Sequence, residues 1–141
     1  MANLSSANLK NGVVACSAGN HAQGVALSAS KLKCRAVIVM PVATPSIKVD
    51  AVRMHGVPAV EVVLHGMNYD EAATEAKRLE KKENLTMIHP FNDPYIIAGQ
   101  GTIGMEILRE CVSRPLDAIF VCCGGGGMLA GIATLVKQIR P

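Results

Sequence analysis

Val13-Val14-Ala15-Cys16-Ser17-Ala18-Gly19-Asn20-His21-Ala22-Gln23-Gly24 decides how the rest of the chain is read. Four apolar residues form a short run and then stop at Ser17-Ala18-Gly19. From Asn20 the apolar positions change spacing: Ala22, Val25, Ala26, Ala29 and Leu32 make a single stripe with helical period. The pattern predicts a strand, a tight polar loop, and a helix over residues 20–32. Ser17, Asn20, His21 and Gln23 crowd the start of that helix, where capping alone needs one polar side chain. Their hydroxyl, amide and exposed N–H groups suit a carboxylate or a phenolic oxygen. Ser17 and His21 stand four residues apart with no acid nearby, so no Ser-His-Asp triad is present.

The same alternation continues outward. Residues 36–40 are continuously apolar, as in a strand covered on both faces. Thr44-Pro45 supplies a cap and a first-turn proline for a helix that stops at Gly56. Residues 60–64 read as the next strand. Asn68 and Glu71 have capping-box spacing for a helix over residues 69–83, which should bury Tyr69, Ala72, Ala73, Ala76 and Leu79. Residues 85–88 read as a strand, Asp93-Pro94 opens a helix to about Cys111, residues 117–122 read as a strand, and residues 128–139 as a final helix. This order predicts an α/β fold, a mostly parallel sheet with helices on both faces. Ligands then belong at the carboxyl ends of the strands.

Composition narrows the function classes. The chain has 141 residues, half of them hydrophobic, and 14 basic against 11 acidic residues give a net charge of +3. That excess is too small for a nucleic-acid surface, and the four aromatics (Tyr69, Phe91, Tyr95, Phe120) form no stacking platform. Residues 118–136 carry no charge, but four consecutive glycines within them argue against a membrane span. No membrane partner is expected. The five cysteines lack C-x-x-C spacing and mostly lie in apolar runs, which predicts reduced, buried thiols in a reducing compartment. The four histidines show no ligand spacing, so no metal site is expected.

The second polar loop is Gly124-Gly125-Gly126-Gly127-Met128, between the expected strand and the last helix. Glycines there let backbone amides approach an anion, and the helix N-terminus adds partial positive charge. A phosphate group fits this chemistry. Gly125-x-Gly127-x-x-Ala130 also satisfies a dinucleotide pattern, though the confirming acid about 20 residues on would lie past Pro141. Gly99-x-Gly101-x-x-Gly104 matches the same pattern without a preceding strand and reads as close helix packing.

Ser-Ala-Gly-Asn-His-Ala-Gln-Gly (residues 17–24) together with Gly-Gly-Gly-Gly-Met-Leu-Ala-Gly (residues 124–131) resembles the threonine/serine dehydratases, fold-type II pyridoxal-phosphate enzymes of the tryptophan synthase β-like class. Val39-Met40-Pro41, Lys48-Val49-Asp50-Ala51-Val52-Arg53, Leu64-His65-Gly66, Tyr69-Asp70-Glu71-Ala72 and Ile97-Ala98-Gly99-Gln100-Gly101-Thr102 extend the likeness along nearly the whole chain. The resemblance implies pyridoxal 5′-phosphate as cofactor. Asn20 would bond its 3′-hydroxyl, and Gly124, Gly125, Gly126, Gly127 and Met128 would cup its phosphate. Ser17, Ala18, Gly19 and His21 would hold the substrate carboxylate, and Phe91 would approach the substrate side chain. The family usually has an acid where Asn92 stands. The implied reaction is dehydration and deamination of L-threonine or L-serine to 2-oxobutanoate or pyruvate plus ammonia.

The resemblance also implies that something is missing. The family's Schiff-base lysine lies in Ser-Phe-Lys-x-Arg-Gly-Ala, and none of Lys10, Lys31, Lys33, Lys48, Lys77, Lys81, Lys82 or Lys137 matches it. Met1 therefore reads as an internal methionine and the fold as incomplete. Residues 12–92 correspond to most of a small α/β domain, and residues 93–141 to part of a large cofactor-binding domain. An apolar surface around Ile119, Phe120, Leu129 and Leu135 should then be exposed. The expectation is an inactive fragment of a longer, homo-oligomeric parent. Two alternatives stay open: a phosphate-binding module without chemistry, and a serine racemase-like enzyme. The racemase places a second serine where Ala18 stands, and alanine has no proton to give. Cys122-Cys123 replaces the usual Pro-Val and should pack in the interior.

Overall fold

A computed structural model describes all 141 residues. Ten elements follow one another: α1 (Ser6–Asn11), β1 (Val13–Cys16), α2 (Asn20–Leu32), β2 (Ala36–Met40), α3 (Ser46–Gly56), β3 (Val60–Leu64), α4 (Tyr69–Glu83), β4 (Thr86–Met87), α5 (Pro94–Glu110) and α6 (Gly127–Ile139). They fall into two compact units, Met1–Ile88 and His89–Pro141.

The first unit is built on one parallel sheet in the order β3-β2-β1-β4. Its central strands β1 and β2 are buried at every position, which is why they lack polar alternation. Val14, Cys16, Val37 and Val39 face α4 and cluster with Ala72, Ala76, Leu79 and Leu85. Strand alternation turns Val13, Ala15, Ile38 and Met40 to the other face, which α2 and α3 cover with Ala22, Val25, Ala26, Ala29, Val49 and Val52.

Several helix ends follow the sequence directly. The Asn68 side chain accepts the Glu71 N–H (3.0 Å), and the Glu71 carboxylate accepts the Met67 N–H (2.8 Å). The box thus closes one residue earlier than the usual reciprocal pair. Lys33 and Asn84 end α2 and α4 in the left-handed region. α3 starts one residue later than expected: Pro45 is its cap position and makes no side-chain bond. Two apolar positions are more exposed than their stripes suggest. Tyr69 is 48% exposed because it opens α4 rather than lying under its middle, and Leu32 sits at the last turn of α2. α1, which apolar spacing gives no hint of, buries no residue and rests on its Ser5 cap.

The second unit pairs α5 with α6. Asp93 caps α5 by accepting the Tyr95 and Ile96 N–H groups (2.8 and 3.2 Å). The two helices meet where both lack side chains. A Cβ at Gly131 would lie against the Ile97 carbonyl oxygen and 2.8 Å from the Gly101 nitrogen. Gly101 and Gly104 therefore serve close packing, while Gly99 faces open space.

One expected element is absent. Residues 117–122 form no strand. An apolar run becomes a strand only with a hydrogen-bonding partner, and all four strands of this chain pair within the first unit. Phe120 is accordingly 98% exposed and Leu129 is exposed, while Ile119 and Leu135 are half-buried. Cys122 and Cys123 are exposed rather than interior for the same reason.

Candidate functional site

The strand order reverses direction at β1. β2 lies on one side of it, and β4 joins the other only at Val13–Thr86 and Val14–Met87. Such a switch point opens a crevice beyond the carboxyl ends of the strands. The chain leaving β1 enters that position. The Ser17 N–H donates to the Val39 carbonyl (3.2 Å), the last rung before the loop. The Ser17 hydroxyl oxygen accepts the Gly19 N–H (3.2 Å), which leaves the hydroxyl proton free to be donated. Gly19 is the cap position of α2, no side chain caps that end, and a Cβ on Gly19 would meet nothing within 4 Å. Ala18 is half-buried. Asn20 is exposed, and its carboxamide makes no hydrogen bond in the chain.

His21 behaves differently from its neighbours. Its Nε2 lies 3.1 Å from the carbonyl oxygen of Ile88, just past β4. The ring thus ties the start of α2 to the far side of the crevice. Beneath the loop, burial pushes the Cys16 thiol up to about 11, so it stays protonated and packs as an apolar group.

The glycine loop lies in the second unit. Gly126 has φ +84° and is the cap position of α6, with no side chain capping the helix. The first-turn N–H groups of a helix have no partners within it, so those of Gly127, Met128 and Leu129 are available to an anion. A Cβ on Gly124 or Gly126 would meet nothing within 4 Å. Gly125 and Gly127 are used otherwise. A Cβ on Gly125 would fall inside the ring of Phe91, and one on Gly127 would lie 2.6 Å from the Phe91 carbonyl oxygen. Open space therefore lies over two glycines and Phe91 over the other two. An uncapped helix start, a left-handed glycine and side-chain-free space suit a phosphate, so the residues present fit a phosphorylated cofactor.

Phe91 is held in turn. His89 Nδ1 accepts the Asn92 N–H (2.9 Å) and lies 3.4 Å from the Phe91 nitrogen, and the two rings meet edge to face at 4.9 Å. Sequence reading does not find this. His89-Pro90 marks a turn, but nothing in it points to a loop some 35 residues later. No cluster of three His, Cys, Asp or Glu gathers anywhere in the chain. No helix is long and apolar enough to cross a membrane.

Residues 1–141 match the family model described as pyridoxal-phosphate dependent enzyme. The mitochondrial threonine dehydratase of Schizosaccharomyces pombe is 59% identical over the whole chain, which covers 23% of that protein. The biosynthetic L-threonine dehydratase of Burkholderia multivorans is 55% identical, again over the whole chain and 28% of that protein. The chain thus spans about a quarter of the length of these curated relatives. Among solved structures, the processed form of threonine deaminase isoform 2 from Solanum lycopersicum superposes with a TM-score of 0.85 at 52% identity, covering 99% of this chain and 39% of that one. Maize serine racemase superposes at 0.88 with 34% identity, covering 98% of this chain and 40% of that one.

Proposed function

The chain belongs to the pyridoxal-phosphate dependent enzymes, and from that premise we propose that it forms part of a dehydratase. The parent enzyme would convert L-threonine or L-serine to 2-oxobutanoate or pyruvate plus ammonia. The observation that carries this reading is the identity gap: threonine dehydratases match the whole chain at 50–59%, whereas serine racemase matches at 34%. Ala18 points the same way, since a methyl group cannot deliver a proton to a substrate carbon. In this reading the unit Met1–Ile88 supplies most of a small domain, residues 12–92, and the remainder belongs to a larger cofactor-binding domain.

The chain's own residues then divide the work. The amides of Gly124–Met128 hold the phosphate, drawing on the uncapped start of α6. Asn20 offers its unpartnered carboxamide to the ring hydroxyl. Ser17 donates its free hydroxyl proton to the substrate carboxylate, and Ala18 and Gly19 keep side chains out of its path. His21 stays on the Ile88 carbonyl and fixes the loop's height. Phe91 approaches the substrate side chain. Bound pyridoxal phosphate supplies an electron sink for the pair released at the substrate α-carbon. None of the eight lysines lies in the family's lysine motif, so the 141-residue chain alone catalyses no turnover. The parent works as a homo-oligomer in a reducing compartment, consistent with the free thiols of Cys16 and Cys34.

A pyridoxal 5′-phosphate titration of the purified chain, with ammonia release from L-threonine and L-serine measured beside it, tests this. The expected result is reversible binding without ammonia, and threonine-dependent ammonia from the parent. Ammonia from the isolated chain would overturn the division of roles, and racemisation without ammonia by the parent would overturn the reaction.

A further inference from the structure

The four glycines are not equivalent, and the reason lies outside the loop. Two of them face open space, and two lie under Phe91, one beneath its ring and one beneath its backbone. Phe91 therefore sets the shape of a loop that has no strand ladder on its N-terminal side. Phe91 itself is 37% exposed, so burial alone does not fix it. What fixes it is the turn at residues 89–92, closed by the Asn92 N–H donating to His89 Nδ1 at 2.9 Å, with the two rings edge to face. An Nδ1 that accepts belongs to a ring whose proton is on Nε2.

We infer that His89 is a positioning residue of the phosphate seat: through the Asn92 N–H it sets the 89–92 turn, the turn sets Phe91, and Phe91 holds Gly125 and Gly127 so that Gly124 and Gly126 stay open. This rests on reading the loop as the seat of the cofactor phosphate. It assigns His89 no contact with substrate or cofactor. It also explains why a loop that needs one left-handed glycine carries four.

The test uses the full chain and three variants. His89→Ala removes the acceptor. His89→Asn keeps an oxygen close to the Nδ1 position, since asparagine readily bonds backbone N–H groups two or three residues on. His89→Gln moves that oxygen one bond outward. The first readout needs no ligand: the α-proton shift of Gly125 and its cross-relaxation with the Phe91 ring. Both should be present in the wild type and with His89→Asn, and lost with His89→Ala and His89→Gln. Signals of Gly101, Gly104 and Gly131, in the α5–α6 contact, report that the unit remains folded. The second readout is pyridoxal 5′-phosphate affinity, expected to fall about tenfold with His89→Ala and to recover to within about twofold with His89→Asn.

Unchanged Gly125 signals in His89→Ala would overturn the inference while leaving the cofactor reading intact. If His89→Ala unfolds the unit, equal behaviour of the Asn and Gln variants would overturn it. A wild type with the Gly125–Phe91 signals but no response to the cofactor would overturn the phosphate reading instead, and with it the seat His89 is said to position.

Discussion

Residues 17–19 and residues 124–126 each lead into a thirteen-residue helix, and each helix has a glycine at its cap position and no side-chain cap. Their supports differ. The first loop leaves the central region of a parallel sheet, and its first N–H still bonds the neighbouring strand. The second leaves a segment without a partner strand and rests two of its glycines against Phe91, one under the ring and one under the backbone. Two uncapped helix starts can thus be held by a backbone ladder or by a single residue's brace. A ladder distributes the load over many residues, whereas a brace concentrates it on a few.

That contrast can be broken most forcefully from beneath the sheet. Ile38 is fully buried in β2, paired with the strand that the first loop leaves, so Ile38→Ala should cost about 2–5 kcal/mol. Denaturant unfolding followed by strand amides should show the loss, with the Gly125 signals melting as before. Simultaneous melting would erase the distinction between the two supports. Thiol chemistry gives the next largest effect. Cys16 is buried with its pKa pushed to about 11, while Cys122 and Cys123 are exposed. Iodoacetamide at pH 8 should label the latter pair about 100-fold faster, as peptide mass spectrometry would reveal. Rapid labelling of Cys16 would mean that the sheet opens easily.

Within the second loop, Gly125→Ala should cost about 1–3 kcal/mol because its methyl collides with Phe91. Gly124→Ala should change stability by less than about 0.5 kcal/mol and still lower cofactor affinity, because its methyl enters the open space. Thermal melts and titrations of the two variants should therefore move in opposite measures. The change most remote from both loops is Asn68→Ala, which removes a cap from α4 on the sheet's other face. About 1 kcal/mol should be lost, with no change at either loop.

The same contrast explains what the sequence revealed. Much of what local or periodic rules hold was legible: α2 over Asn20–Leu32, β3 over Val60–Leu64, α4 with its Asn68 cap, and α5 with Asp93 ahead of Pro94, although the short α1 on its Ser5 cap and the start of α3 were not. The reading failed where structure depends on a distant partner. Residues 117–122 have a strand's composition but find no neighbour, and Cys122 and Cys123 are left exposed with them. Tyr69 has the right spacing for burial but the wrong place on its helix. The candidate loops were visible as clusters of unusual residues. His21 on Ile88, and His89 acting through Phe91 on the glycines, were not, because no local pattern encodes a contact across tens of residues.

The strand order also carries a kinetic consequence. β1 meets β2, and β2 meets β3, across about 25 residues each, whereas β1 meets β4 only across about 70. Closing the longer loop costs roughly 1 kcal/mol more by chain entropy alone, so β4 should dock after the other strands have assembled. The bond from His21 to Ile88 then forms last. A nascent chain would display its first loop on a three-stranded sheet before the opposite wall of the crevice exists, and competence to take a ligand would arrive with the final docking event.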